Sequence, residues 1–199
     1  MRNDTAYQPS GHHVSHEPRG DTALNLREWL RTAGVDAQIV APGAHMPTVE
    51  AAAAAMGVAP EQIFKSILFQ ARDGRCVMAI AAGTARIDRA RVEAASGLTG
   101  LKLAKPDVVL AKTGYPAGGT PPIGHREVFP VLVDSRVAAQ PVGYAGGGRP
   151  ELLVRIRPAD ILRLTGAQVH DLTGAPSAEC RAGTSREPRS AGCLTPSAE

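Results

Sequence analysis

The chain has 199 residues, 43% of them hydrophobic, and a formal net charge of +3, which suits one domain of about 150 residues plus tails. Aromatic residues reach only 4% and no Lys/Arg run occurs, which excludes the rows of stacked rings and the basic tracts of single-stranded nucleic-acid platforms. No apolar run approaches the ~18 residues of a membrane span and no basic-then-apolar leader opens the chain.

Cys76, Cys180 and Cys193 are odd in number and lack C-x-x-C spacing. A disulfide framework or zinc knuckle is therefore not expected, and a reducing cytoplasm is. Residues 1–20 are polar, carry Pro9, Pro18, Gly11 and Gly20, and read as a disordered extension. His12, His13 and His16 lie there without a partner thiol or carboxylate, so no metal site is expected.

The folded part is expected over 21–173. Leu26, Trp29, Leu30 and Ala33 recur at helical spacing within Thr22–Ala33, closed by Gly34. Asp36–Ala41 reads as a strand. Thr48 caps a helix that carries Glu50 in its first turn and five consecutive alanines, and that stops at Gly57. Ile63–Gln70 and Cys76–Ala82 read as strands joined by a hairpin through Arg72-Asp73-Gly74-Arg75. Asp88 caps a helix ending at Ser96, and Pro106–Lys112 is a further short helix. Val128–Asp134 reads as a central strand, followed by strands at Pro141–Ala145 and Leu152–Ile156 and a helix at Pro158–Leu164. Residues 174–199 read as a disordered tail. This order has no regular βαβ period, so an α+β fold with a mixed sheet or barrel is expected rather than a doubly wound one.

Lys112–Arg126 stands out. It gathers Gly114, Gly118, Gly119 and Gly124 with Pro116, Pro121 and Pro122. Glycine lets backbone N–H groups approach a ligand, and proline stiffens the chain between the glycines. An ordinary surface loop has the same composition; what favours function is Lys65, a lone cation in the apolar run F-K-S-I-L-F. There is no G-x-S-x-G elbow and no Walker loop. Cys76 is flanked by apolar residues and reads as buried and inert. His125 and His170 remain as candidate bases, a structural role for His125 being equally compatible. A lysine with loop amides suits a substrate with a polarised carbonyl or a phosphate.

These residues resemble the YbaK family of aminoacyl-tRNA deacylases, relatives of the editing domain inserted in bacterial prolyl-tRNA synthetases. The resemblance spans about 48–172. It rests on F-K-S-I-L-F at 64–69, T-G-Y-P-A-G-G-T-P-P-I-G at 113–124, V-L-V-D-S at 131–135, Y-A-G-G-G-R at 144–149 and I-R-P-A-D-I-L-R-L-T-G-A at 156–167. It implies a mixed, mostly antiparallel, barrel-like fold and hydrolysis, in trans and without a cofactor or metal, of the ester joining a wrong amino acid to a tRNA 3′ end. It makes Lys65 the residue on which activity depends, facing a G-x-x-x-P loop at Gly118–Pro122. Amides around Gly118, Gly119 and Thr120 would orient the carbonyl or the water, and Pro121, Pro122, Gly124 and His125 complete the expected binding loop. Met78 and Ile80 are expected in the pocket wall. The P-P-I-G-H ending at Pro121–His125 differs from members that clear cysteinyl-tRNA, which leaves alanine, serine, threonine and cysteine open. The implied partners are the aminoacyl-tRNA 3′ end and a synthetase. The alternative is a catalytically silent module of the same fold that grips tRNA or a synthetase.

Overall fold

A computed structural model describes residues 25–44 and 46–174. The expected extensions at 1–20 and beyond 174, with their histidines and with Cys180 and Cys193, lie outside the described residues. The fold begins with α1 (Leu26–Thr32), capped by the Asn25 side chain, and β1 (Gln38–Val40). Next comes α2 (Val49–Met56), whose first turn is held by Thr48 Oγ1 accepting from the Ala51 amide at 3.2 Å. The hairpin pairs β2 (Phe64–Gln70) with β3 (Cys76–Ala82). Then follow α3 (Arg89–Ser96), β4 (Lys102–Leu103) and α4 (Pro106–Thr113). The last part comprises β5 (Val131–Asp134), α5 (Ser135–Ala138), β6 (Gly143–Gly146), β7 (Leu153–Ile156), α6 (Pro158–Thr165) and β8 (Gln168–His170).

The strands form two sheets, ordered β1-β7-β6 and β4-β2-β3-β5-β8. Only β3–β5 and β5–β8 are parallel, so the fold is mixed and mostly antiparallel. The barrel expectation needs correction, because the strands do not close. Instead a single parallel bridge, Ile63 to Tyr144, joins the two sheets where β2 begins.

Side-chain alternation along the strands assigns the faces. One face carries Phe64, Leu68, Met78, Ile80, Val133, Ala145 and Val154 into the main core, under α1. The opposite face buries two smaller clusters. One sets Phe69, Val77, Ala79 and Leu132 against Val92 of α3. The other sets Ile63 and Leu153 against Ala52 and Ala53 of α2, whose small side chains allow the helix to lie close. Met78 and Ile80, expected to line a pocket, are wholly buried in the main core.

Several expected boundaries shift for local reasons. The strand expected from Val128 begins only at Val131. Val128 is fully exposed, and Pro130, which has no N–H, turns the chain into the strand while its carbonyl accepts from the Met78 amide. The short elements β4, α5 and β8 escaped the sequence reading. Strand β8 is held by a buried carboxylate: Asp134 Oδ2 accepts from the Leu172 and Thr173 amides and the Thr173 hydroxyl, while Oδ1 caps α5 at Arg136.

Candidate active site

Lys65 is the second residue of β2 and falls on the face shared with Ile63 and Ile67, in the interval between the α2 and α3 clusters. The parallel bridge of Ile63 to Tyr144 joins β2 to β6 two residues before Lys65 on one strand and two before Gly146 on the other. The Lys65 ammonium donates to the Ala85 carbonyl, which uses one of its three donors. Partial burial pushes its pKa below the usual lysine value, and the Glu50 carboxylate opposes that. Glu50 is itself held below the usual carboxylate range by its own backbone N–H and the Thr48 hydroxyl, with a smaller contribution from Lys65. The sequence reading missed Glu50 as a neighbour of Lys65. It was visible only as a favourable charge in a helix first turn, because its approach to residue 65 depends on how α2 packs across the sheet.

The loop after α4 packs against β6 at Gly146. A Cβ on Gly146 would stand 2.4 Å from the Thr120 carbonyl oxygen, and one on Gly119 would stand 2.5 Å from the Arg149 carbonyl carbon. Only glycines allow these backbones to touch. The Gly148 amide then donates to the Gly119 carbonyl at 2.8 Å. The β6–β7 turn and the loop are thus interlocked, and the loop packs over Gly146. Among the described residues no hydrogen bond links Lys65 to the loop itself.

Within the loop, the Gly119 amide is committed to Pro116 O at 3.1 Å, as is the Thr120 hydroxyl. The Gly118 and Thr120 amides are the two donors in 118–120 without an acceptor among the described residues. Gly118 is exposed at φ 86, whereas Gly119, Thr120, Pro121, Pro122 and Gly124 are buried. Gly124 lies beneath the Trp29 ring, which a Cβ there would meet at 3.0 Å. The Trp29 stripe expected from α1 is therefore core-facing and covers the end of the loop.

His125 staples the loop. Its Nε2 lies 2.9 Å from the Pro121 carbonyl and its ring stacks on Phe129 at 4.9 Å. A carbonyl only accepts, so Nε2 carries the proton and Nδ1 the lone pair. Desolvation lowers the pKa to about 4, against the opposing pull of the Pro121 carbonyl. The ring is neutral at physiological pH. His170, the other candidate base, is on β8 with Gln168 as its partner, away from these contacts. Cys76 is buried and desolvation raises its thiol pKa. Among the described residues no group of three or more His, Cys, Asp or Glu is placed to hold a metal, and no helix is long and apolar enough to cross a membrane. Two clefts, of about 550 Å³ beside β1 and about 360 Å³ at the β2–β3 turn, contain none of the predicted site residues.

Comparison with known proteins matches most of the described chain. Residues 43–164 match the model of the aminoacyl-tRNA editing domain. A proline–tRNA ligase of Nitratidesulfovibrio vulgaris strain DP4 is 31% identical over 119 residues, 60% of this chain and 20% of the ligase. The uncharacterized protein YwhH of Bacillus subtilis is 35% identical over 77 residues, covering 39% of this chain and 48% of YwhH. The chain therefore spans about a fifth of the ligase and about half of YwhH. A crystal structure of a candidate trans-editing enzyme for prolyl-tRNA synthetase superposes with a TM-score of 0.70 at 32% identity, over 80% of this chain and 100% of that one.

Proposed function

The chain belongs to the aminoacyl-tRNA editing domain family, and we propose that it is a trans-acting hydrolase that deacylates mischarged aminoacyl-tRNA. The observation that supports this reading is the Ile63–Tyr144 bridge, which brings β2, two residues before Lys65, against β6, whose Gly146 packs under the Thr120 carbonyl.

The aminoacyl ester is already activated, so no protein nucleophile is needed if a water is positioned and the developing oxyanion is stabilised. Lys65, with two donors not used by Ala85, supplies the compact cation. The Gly118 and Thr120 amides supply neutral donors to the same carbonyl. Water adds its oxygen to the acyl carbon, the bond from that carbon to the ribose oxygen breaks, and the water's proton ends on the ribose oxygen. The products are the free amino acid and uncharged tRNA, and a neighbouring ribose hydroxyl can relay the proton. His125, with Nε2 bound to Pro121, serves the loop's shape rather than the proton transfer. Pro121, Pro122 and Gly124 act in the same way, as the buried foundation of the substrate-binding loop.

Such a hydrolase works as a second sieve for small amino acids that a synthetase pocket rejects poorly. The substrate proposed is a small amino acid, among alanine, serine, threonine and cysteine, on tRNA-Pro or a related tRNA in the cytoplasm, with a synthetase as partner. The editing unit is proposed to be residues 21–173. A deacylation time course against tRNA-Pro charged with each of the four amino acids, and against cognate pairs, tests this. Selective loss of one mischarged species is the expected result. Tight tRNA binding with no turnover of any pair would instead favour the silent binding module.

A further inference from the structure

Arg149 occupies the corner of the β6–β7 turn, and its backbone is fixed against the candidate loop. A Cβ on Gly119 would lie 2.5, 2.7 and 2.8 Å from the Arg149 carbonyl carbon, Cα and nitrogen. The flanking bonds lock the corner: Gly148 N–H to Gly119 O at 2.8 Å, Gly147 N–H to Leu152 O at 2.8 Å, and Leu152 N–H to Arg149 O at 3.0 Å. The backbone is thus pinned while the side chain is 73% exposed. Its one ionic neighbour among the described residues is Glu151 at 4.0 Å, itself 60% exposed, a pairing too long and too wet to occupy the guanidinium.

Two cations of different character lie near β6: Lys65, half-buried two residues beyond the Ile63–Tyr144 bridge, and Arg149, exposed three residues beyond Gly146. An ester on a tRNA 3′ end has its carbonyl next to a terminal ribose, and the following group along the strand is a phosphodiester. A half-buried ammonium suits the carbonyl. An exposed planar guanidinium suits the phosphate, which it can bind through two parallel N–H donors. Resting on the function proposed above, we propose that Arg149 is a positioning residue that grips a backbone phosphate of the RNA 3′ end and so delivers the ester to Lys65.

The test compares wild type with Arg149→Ala and Arg149→Lys, neither of which alters the glycine contacts of the backbone. With aminoacyl-tRNA, Arg149→Ala should raise KM by about tenfold and leave kcat within about twofold. The slope of log affinity against log salt should fall by about 0.7, the share of one single-strand phosphate. Arg149→Lys should recover the salt slope and only part of the KM. An aminoacylated adenosine without a 5′ phosphate should be cleaved equally by wild type and Arg149→Ala. An unchanged KM and salt slope in Arg149→Ala would overturn the proposal, as would an equal defect on the phosphate-free substrate. A second readout, binding of an uncharged RNA oligonucleotide ending in CCA, separates this proposal from the assigned reaction. Weakened binding by Arg149→Ala supports the phosphate grip even if no charged tRNA is hydrolysed. Equal binding by wild type and Arg149→Ala, or none by wild type, overturns it even where hydrolysis depends on Lys65.

Discussion

At the residue scale the site is costly to the fold. Lys65 is a half-buried ammonium whose pKa burial lowers, so its charged form is less welcome in the folded chain than in water. Replacing it with Met should leave the thermal midpoint equal or higher while activity is lost, and a large drop in midpoint would show that Lys65 is structural. Glu50 opposes the effect of burial. Glu50→Gln should lower the Lys65 pKa further, so the activity that needs the ammonium should decline at a lower pH on the alkaline side. Single-turnover deacylation across pH, corrected for spontaneous ester hydrolysis, reads this shift directly. His125 gives a stability signature of the same origin, the desolvation of a cation. Its folded pKa is depressed from 6.5 to about 4, so between those values the unfolded chain binds more protons and stability falls as pH falls. That loss, up to about 3 kcal/mol, is complete near pH 4 and absent above pH 6.5. Melting curves from pH 7 to 4 should show it in the wild type and a flatter profile in His125→Gln.

At the element scale the loop and the β6–β7 turn behave as one unit because their glycines touch. Gly119→Ala would press a methyl into the Arg149 backbone, and Gly146→Ala would press one into Thr120 O. Backbone cannot yield cheaply, so each should cost about 2–3 kcal/mol and most of the activity. Gly118→Ala meets nothing within 4 Å and bears only the strain of φ +86, about 1–2 kcal/mol. Chemical denaturation should show larger losses for Gly119→Ala and Gly146→Ala than for Gly118→Ala, and equal losses in all three would mean the interlock is not there. The sequence carried half of this. The glycine and proline density marked the loop, and the caps at Thr48 and Asp88 were readable because each is settled within three residues. The partner of the loop was not readable. Gly119 meets Arg149 only because the loop folds against the β6–β7 turn, and a contact across about 30 positions leaves no local pattern.

For the whole molecule, the α+β class followed from the element order, while closure did not. The two sheets are joined by the single Ile63–Tyr144 bridge rather than closed into one, and two residues in ordinary strands cannot announce that. The short β8 was missed for a related reason, since it is held in place by Asp134 rather than by its own propensity. Asp134 is wholly buried and its two oxygens accept from four donors, three of them on Leu172 and Thr173. Asp134→Ala should therefore destabilise the whole fold by about 3–5 kcal/mol, measurable as a lowered denaturation midpoint. A loss below about 1 kcal/mol would mean that the last strand adds little.

The central claim is the proposal that Lys65 supports ester hydrolysis without a protein nucleophile. The most direct measurement is the deacylation rate of one mischarged tRNA by wild type and by Lys65→Ala, with matched melting curves. The account predicts a loss of about 10²–10³-fold in a variant that melts at or above the wild-type temperature. A Lys65→Ala protein that turns over at near wild-type rate would contradict it.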